Sequence, residues 1–337
     1  MAHKKISRIK STFKKYDTKK KKMPTLIKPM LATLTKDYFF DSDWLYERKF
    51  DGERCIAFKS GKAAHLKSRN NISLNSSYPE IQTAIAKISG VKNAIFDGEV
   101  VAFKGNLTDF SKLQGRMHVK DVSSSKASAV KVYYYIFDII YLNGYDLTKL
   151  PLIERKRILR SLFTFTSPIR FSAYKFKSSK AEYHAACKKG WEGLMVKDSQ
   201  SHYIFKRSRS WLKFKCVAEQ ELVIGGYTDP QHSRVGFGAI LVGYYTHGKL
   251  HYAGKVGTGF DTITLKELKG AFDKIASKKC PFTNYDGKKT GVHWIKPVLV
   301  CEIGFEEWTK DNKLRHPRYL GLRRDKSAKK VVQERAK

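Results

Sequence analysis

The sequence is short of negative charge: 31 Asp and Glu stand against 66 Lys and Arg, giving a formal net charge of +35 over 337 residues. A surplus of that size implies a polyanionic partner. Long apolar runs are missing as well. None approaches the ~18 residues needed to cross a bilayer, and the N-terminus lacks the apolar core of a secretory signal. The five cysteines (Cys55, Cys187, Cys216, Cys280, Cys301) are odd in number, widely scattered and contain no C-x-x-C pair. Zinc and disulfide frameworks are therefore not expected, and reduced buried thiols in a cytosolic protein are. No solenoid-type repeat is present. What the chain does contain is enough for a packed core, with 42% hydrophobic and 13% aromatic residues.

The charge is unevenly spread. Residues 1–22 hold ten basic side chains against Asp17 alone, a net +9, so that +26 remains on the rest. This segment reads as a basic, flexible tail. A short helix is expected from Ile6 to Tyr16, with Lys19 to Lys22 solvated. From Trp44 the chain reads mostly as strands. Val132 to Leu142 is the clearest, with Tyr133, Tyr135 and Phe137 on one face and Tyr134, Ile136 and Asp138 on the other, closed by the turn Asn143-Gly144. Helical spacing appears over Tyr78–Ile88, Leu152–Phe163, Ala181–Lys189 and Leu265–Ser277. A boundary falls near Val217 to Glu221, and the strands beyond it, with one helix, suit a small β-barrel such as an OB-fold. Gly254-x-x-Gly257-x-Gly259 echoes a phosphate loop, but no helix follows directly, so it reads as a bulged barrel strand. The expected architecture is α+β: residues 23–217 as a domain of antiparallel sheets, then residues 218–337 as an all-β barrel domain.

Lys49 carries the chemistry. It lies in Glu47-Arg48-Lys49-Phe50-Asp51-Gly52-Glu53-Arg54, a setting in which a lysine can act as a nucleophile. Attack on phosphorus needs a neutral amine, whereas free lysine has a pKa of about 10.4. Burial or neighbouring positive charge must lower that value. Lys213 and Lys215 alternate with Trp211, Leu212 and Phe214, so on a strand both ammonium groups point to one site and can also bind phosphate. Glu99, after Asp97-Gly98, and Glu192, before Gly193, suit a divalent cation such as Mg2+ or Mn2+. Phe137 can stack on a base, and Arg69, after Ser68, can reach a phosphate or ribose. Taken singly, each of these residues has an ordinary structural explanation; their joint order along the chain is what points to a site.

The run Lys49-x-Asp51-Gly52-x-Arg54, Ser68-Arg69, Asp97-Gly98-Glu99, Phe137-Asp138, Glu192-Gly193, Trp211-Leu212-Lys213-x-Lys215 and Arg323-x-Asp325-Lys326 resembles the covalent nucleotidyltransferase superfamily. Within it the chain is most similar to the ATP-dependent DNA ligases of bacterial end-joining. The likeness runs from about Pro29 to Lys326 and takes in Pro29-Met30-Leu31-Ala32, Tyr203 with Trp211, Val256-Gly257-Thr258-Gly259-Phe260, and Glu307-Trp308-Thr309 before Arg315-His316-Pro317.

The resemblance implies a nucleotidyltransferase (adenylation) domain followed by an OB-fold, ATP as cofactor, and a lysyl–AMP on Lys49. It implies that Glu47 reads the adenine amino group, that Phe137 stacks on the ring, and that Arg54 and Arg69 contact ribose or the DNA 5′-phosphate. Glu99 and Glu192 then serve ribose and metal, and Lys213 and Lys215 the α-phosphate. Arg323, Asp325 and Lys326 orient the pyrophosphate after domain closure. The implied substrate is nicked or broken double-stranded DNA, sealed by a monomer in the bacterial cytoplasm, with a Ku-type end-binding protein as a partner in trans for end-joining. Two alternatives are an RNA ligase or GTP-using capping enzyme, and a catalytically silent DNA-binding protein. The second should have lost the lysine or the carboxylates, and it has not.

Overall fold

In the computed structural model, which describes residues 2–35, 37–117, 121, 123, 129–216, 218–231 and 233–334, the chain divides after Cys216 into two compact units. The first is built on two sheets. A seven-stranded sheet has the order Ala63–Ser68, Glu53–Ser60, Asn93–Lys104, Val132–Leu142, Tyr145–Asp146, with Leu107–Thr108 and Ile169–Phe171 paired at its flanks. A five-stranded sheet has the order Leu31–Leu34, Arg207–Lys215, Gly193–Asp198, Trp44–Arg48, Tyr174–Lys175. Pairing is antiparallel apart from Leu31–Leu34 with Arg207–Lys215 and Val132–Leu142 with Ile169–Phe171.

Apolar side chains set the layers. Leu45 and Trp211 from the smaller sheet meet Ile56, Phe58, Ile95 and Phe137 from the larger one in a shared core. The far face of the larger sheet is covered by the helices Pro79–Ala86 and Leu152–Leu162, through Ile81, Ile85, Ile158 and Leu159. The far face of the smaller sheet packs on the helix Lys180–Lys188 through Tyr183. Proline at the first position of Pro79–Ala86 fits a helix start, where its missing N–H is not needed. Ser179 caps Lys180–Lys188 by accepting from the Glu182 N–H. The helix Phe110–Gln114, capped by Asp109, was not expected, being too short to show a period.

Two expectations need correction. The basic segment at the N-terminus is not a free tail. Ala2–Lys15 is a helix, and Phe13 is buried with its ring centroid 4.5 Å from that of Tyr145. Further on, the Lys21 N–H donates to the Gly144 carbonyl at 2.8 Å, and the Asp146 N–H donates to the Lys19 carbonyl at 3.1 Å. The lysine side chains there are exposed, as their charge requires. Side-chain charge says nothing about backbone pairing, and the backbone adds an edge to the sheet. The cysteines are the second correction. Cys187 and Cys216 form a disulfide with Cα atoms 5.3 Å apart, although 29 positions separate them. Sequence spacing does not report which distant thiols the fold brings into bonding range. Cys55, Cys280 and Cys301 are free.

The second unit is one six-stranded antiparallel sheet of order Lys249–Val256, Ile240–Thr246, Ala218–Thr228, Val292–Phe305, Ala276–Ser277, with Arg318–Leu322 on Val292–Phe305. A bridge between Thr258 and Arg318 brings its ends together, curling it into an OB-like barrel around Leu222, Ile224, Val242 and Val256. The helix Thr262–Asp273 packs on that core through Leu265, Leu268 and Phe272. The expected bulge lies at Ala253, beside Gly254.

Candidate active site

Lys49 follows directly on the strand Trp44–Arg48, and its N–H donates to the Gly193 carbonyl at 3.0 Å. That bond ties the loop after the strand to the start of Gly193–Asp198. Gly193 has φ +146°, and a Cβ there would lie 2.0 Å from the Phe214 carbonyl, so the Glu192-Gly193 pair needs glycine. The crossing delivers the Glu192 carboxylate to Lys49, whose Nζ forms an ion pair with Oε1. Lys215 Nζ is 3.8 Å from the same oxygen. Lys215 pairs with Gly193 across the sheet and Lys213 with Met195. Burial would raise the Glu192 carboxyl, but Lys49, Lys215 and Lys213 together hold it below the ordinary carboxylate range. The sequence suggested that Lys213 and Lys215 act on Lys49 directly. The structure sets a carboxylate beside both Lys49 and Lys215, and the Lys49 amine is held by it.

Glu47 is two positions before Lys49 and buried. Lys156 Nζ faces its Oε1 at 2.8 Å, while Lys197 Nζ donates to Oε2 at 3.0 Å and the Ser172 hydroxyl donates there at 3.1 Å. Burial alone would raise this carboxyl, but the two lysines bring it below its ordinary value. Burial pushes Lys197 down to about 8.

The remaining residues come from the larger sheet. Phe137 lies where Asp97 pairs with Asp138 and Gly98 with Ile136, so it is the extra residue of a bulge. Phe137 faces the core between the sheets and Tyr134 and Ile136 face the helices, as strand alternation expects; the alternation slips beyond Phe137, where Ile139 also turns to the helix side. Gly98 is required there, because its Cβ would lie 2.5 Å from the Tyr135 carbonyl. The Phe137 ring is buried, with Arg54 4.7 Å and Lys197 4.3 Å from its centroid. Arg54 clasps Asp97 through Nε at 2.5 Å and Nη2 at 2.6 Å, and Nη2 also donates to the Met30 carbonyl at 3.2 Å. Its pKa rises although burial opposes this, chiefly because of Asp97. Nη1 takes part in none of these bonds. The Tyr203 hydroxyl donates to Asp97 at 2.6 Å and accepts from the Met30 N–H at 3.0 Å, which links the Pro29-Met30 segment to Arg54. Glu99 pairs with Arg54 across the strands and is half-buried. Arg69 is half-buried in the turn after Ala63–Ser68 and meets no carboxylate among the described residues.

Arg323, Asp325 and Lys326 belong to the second unit, where they form an ion cluster of their own. Arg323 donates to both Asp325 oxygens at 3.1 Å and lies 3.6 Å from Glu302, while Lys326 is 2.5 Å from Glu221. Burial would lower Arg323, but Asp325, Glu302 and Glu221 raise it well above its ordinary value; Asp325 is held low by Arg323 against the effect of its own burial.

Sequence reasoning missed Lys156, Lys197, Arg155 and the anchoring roles of Asp97 and Asp138. Arg155 donates to both Asp138 oxygens at 2.8 and 2.9 Å, with both side chains fully buried. Lys197 closes the Glu192-Gly193 strand and carried a signal as a lysine in an otherwise apolar run; Lys156 and Arg155, in a helix rich in basic residues, carried none.

Comparison with known proteins agrees with the geometry. Residues 29–215 match the ATP dependent DNA ligase domain and residues 233–326 the ATP dependent DNA ligase C terminal region. The chain is 33% identical over 321 residues to the multifunctional non-homologous end joining protein LigD of Pseudomonas aeruginosa, covering 93% of this chain and 37% of that protein. It is 33% identical to DNA ligase 2 of Methanosarcina mazei, over 89% of this chain and 56% of that one. The chain thus spans well under two thirds of these relatives. A solved structure of mycobacterial DNA ligase D complexed with ATP and MES superposes with a TM-score of 0.66 at 28% identity, covering 91% of this chain and 98% of that one.

Proposed function

The chain belongs to the ATP-dependent DNA ligases, and we propose that it joins a 5′-phosphate to a 3′-hydroxyl in duplex DNA through an adenylate carried on Lys49. What supports this reading is the convergence of Lys49, Glu192, Lys213 and Lys215 at one end of a sheet whose neighbouring strand carries Glu47. In the first step the neutral Lys49 amine attacks the α-phosphorus of ATP. A P–N bond forms, the bond to pyrophosphate breaks, and the nitrogen releases a proton to leave a phosphoramidate. Next an oxygen of the DNA 5′-phosphate attacks the same phosphorus and the lysine leaves. Finally the 3′-hydroxyl attacks the 5′-phosphorus and AMP departs. Each step is phosphoryl transfer, in which positioning and charge neutralisation dominate.

In this reading Glu47 accepts from the adenine amino group and the base seats near Phe137. Arg54, through Nη1, and Arg69 meet ribose or the 5′-phosphate. Lys213 and Lys215 neutralise the α-phosphate, and Arg323, Asp325 and Lys326 serve the pyrophosphate once released from their own ion pairs. A divalent cation fits the donor set. Glu192 Oε2 is buried without a hydrogen-bond partner, and Glu99 is a second carboxylate in the same unit. Among the described residues no group of three acidic, His or Cys side chains forms a cage, so phosphate and water would complete the shell, as Mg2+ prefers. Bound there, the ion would offset charge developing on the phosphate oxygens.

Incubation with ATP labelled at the α-phosphate should label the protein, γ-labelled ATP should not, and the label should move to the 5′-phosphate on adding nicked DNA. Labelling by GTP in preference to ATP, or transfer to nicked RNA alone, would overturn the assignment. The proposal also includes a role in end-joining with a Ku-type partner in trans, action as a monomer, and a place with the nucleoid in the bacterial cytoplasm. Among the described residues no helix is long and apolar enough to cross a membrane.

The exposed lysines of the docked N-terminal segment, Lys10, Lys14, Lys15 and Lys19–Lys22, are expected to add sequence-independent phosphate contacts. Each contact steepens the log–log salt dependence of binding to duplex DNA by about 0.9. Changing Lys10, Lys14 and Lys15 to glutamine together should flatten the slope by roughly 2–3, measured by anisotropy on a nicked duplex across a salt series. An unchanged slope would remove the segment from the DNA footprint.

A further inference from the structure

The two residues assigned to the base, Glu47 and Phe137, sit in different sheets, and no backbone pairing joins their strands. The segment from Ile169 to Lys175 pairs with both strands, Phe171 with Ile136 and Tyr174 with Glu47, and buried side chains link the two residues directly. Lys156, from the helix Leu152–Leu162, is fully buried and spans the gap. Its Nζ lies 2.8 Å from Glu47 Oε1, donates to the Phe137 carbonyl at 3.0 Å, and donates to the Ser172 carbonyl at 3.4 Å. Ser172 closes the loop, since its hydroxyl donates to Glu47 Oε2 at 3.1 Å and its N–H donates to the Ile136 carbonyl at 2.9 Å.

The hydrogen-bond pattern on Glu47 is uneven. Oε2 accepts from Lys197 and Ser172. Oε1 faces the Lys156 ammonium alone, 2.8 Å away, although it is buried. An ionised carboxylate can only accept. The arrangement therefore selects a ligand group that donates. The 6-amino group of adenine does, whereas the 6-oxo group of guanine would set acceptor against acceptor.

We propose that Lys156 is a positioning residue for nucleotide choice: it joins Glu47 to the backbone of Phe137 and so fixes where the 6-amino group of a base seated near Phe137 must fall. The proposal rests on the reading that Glu47 meets adenine. Lys156 touches the carboxylate and the wall of the pocket but not the reacting phosphorus.

The test compares ATP with purine riboside 5′-triphosphate, which lacks only the 6-amino group, in adenylation of the full chain. A hydrogen bond to a charged acceptor predicts a ratio of kcat/KM on the order of 10^2 for the parent. In Lys156→Met, which keeps the length of the side chain and removes its charge and donors, the ratio should fall below about 10, chiefly through KM for ATP. Lys156→Arg, which restores a cation, should recover part of the ratio. Ser172→Ala removes one donor to Glu47 and no charge, and should lower the ratio a few-fold even if Lys156→Met folds poorly. Glu47→Gln separates the two layers of the argument. If Glu47→Gln leaves the ratio as in the parent, the adenine reading fails and takes the proposal with it. If Glu47→Gln collapses the ratio while Lys156→Met and Ser172→Ala preserve it, with both nucleotides falling equally, the role of Lys156 is structural and the proposal alone is overturned.

Discussion

Lys49→Ala should form no adenylate above background, a loss on the order of 10^5-fold or more, because the variant has no atom to carry the AMP. Lys49→Arg should be equally inactive, since a guanidinium keeps its proton at any working pH. The fold should survive both changes. The Lys49 side chain is partly exposed, and Lys215 remains near Glu192 to balance its charge. The sharper outcome concerns the last step. Sealing of a nick that already carries AMP on its 5′-phosphate needs the pocket but not the nucleophile. Lys49→Ala should therefore close pre-adenylated nicks within about tenfold of the parent rate, while failing on ordinary nicks with ATP. Label on the protein in Lys49→Ala would show that another side chain is the nucleophile. Loss of both activities, with an unchanged melting profile, would show that Lys49 acts on the phosphate in every step.

Those residues of the site whose motif is local, or whose strand alternation is regular, were legible before any coordinates. Lys49 was singled out by its Asp-Gly neighbours, although its partners in the structure, Glu192 and Gly193, are distant in sequence. The pair Lys213 and Lys215, two apart on a strand and pointing to one site, was singled out by alternation. The glycines could be read as turn signals, but Gly98 and Gly193 are needed for close backbone crossings, which exist only once the strands are paired. Simple alternation put Phe137 on the face opposite Tyr134 and Ile136, where the structure has it, but gave no sign of the bulge beside it. The long-range ion pairs could not be read at all. Asp97 and Asp138 sit inside motifs that look catalytic, yet they anchor Arg54 and Arg155. Removing one partner of a buried pair like Asp138–Arg155 typically costs about 3–5 kcal/mol, because the other charge is left stranded.

The same distinction between holding and reacting applies to Glu192, the residue with the second largest expected effect. Glu192→Ala should lower adenylation on the order of 10^3-fold, as expected for a carboxylate that steadies the nucleophile and presents a buried oxygen to a cation. Removing it takes away the carboxylate that lies beside both Lys49 and Lys215. Glu192→Gln keeps the shape and one acceptor oxygen but not the charge. It should raise the Mg2+ concentration needed for half-maximal adenylation at least tenfold if the carboxylate is a ligand. An unchanged Mg2+ requirement in Glu192→Gln would confine the residue to positioning Lys49. Acid stability gives an independent readout. Because the folded carboxyl is held below its ordinary value of 4.5, the stability it contributes is present above about pH 4.5 and is lost as the pH falls through its lower folded value. Glu192→Gln should lack that component, so its melting temperature should fall less steeply than the parent's below pH 4.5. At neutral pH it should be less stable than the parent. A parallel pair of pH profiles would mean that the Lys49–Glu192 ion pair contributes nothing to folding, and that Glu192 matters only once nucleotide is bound.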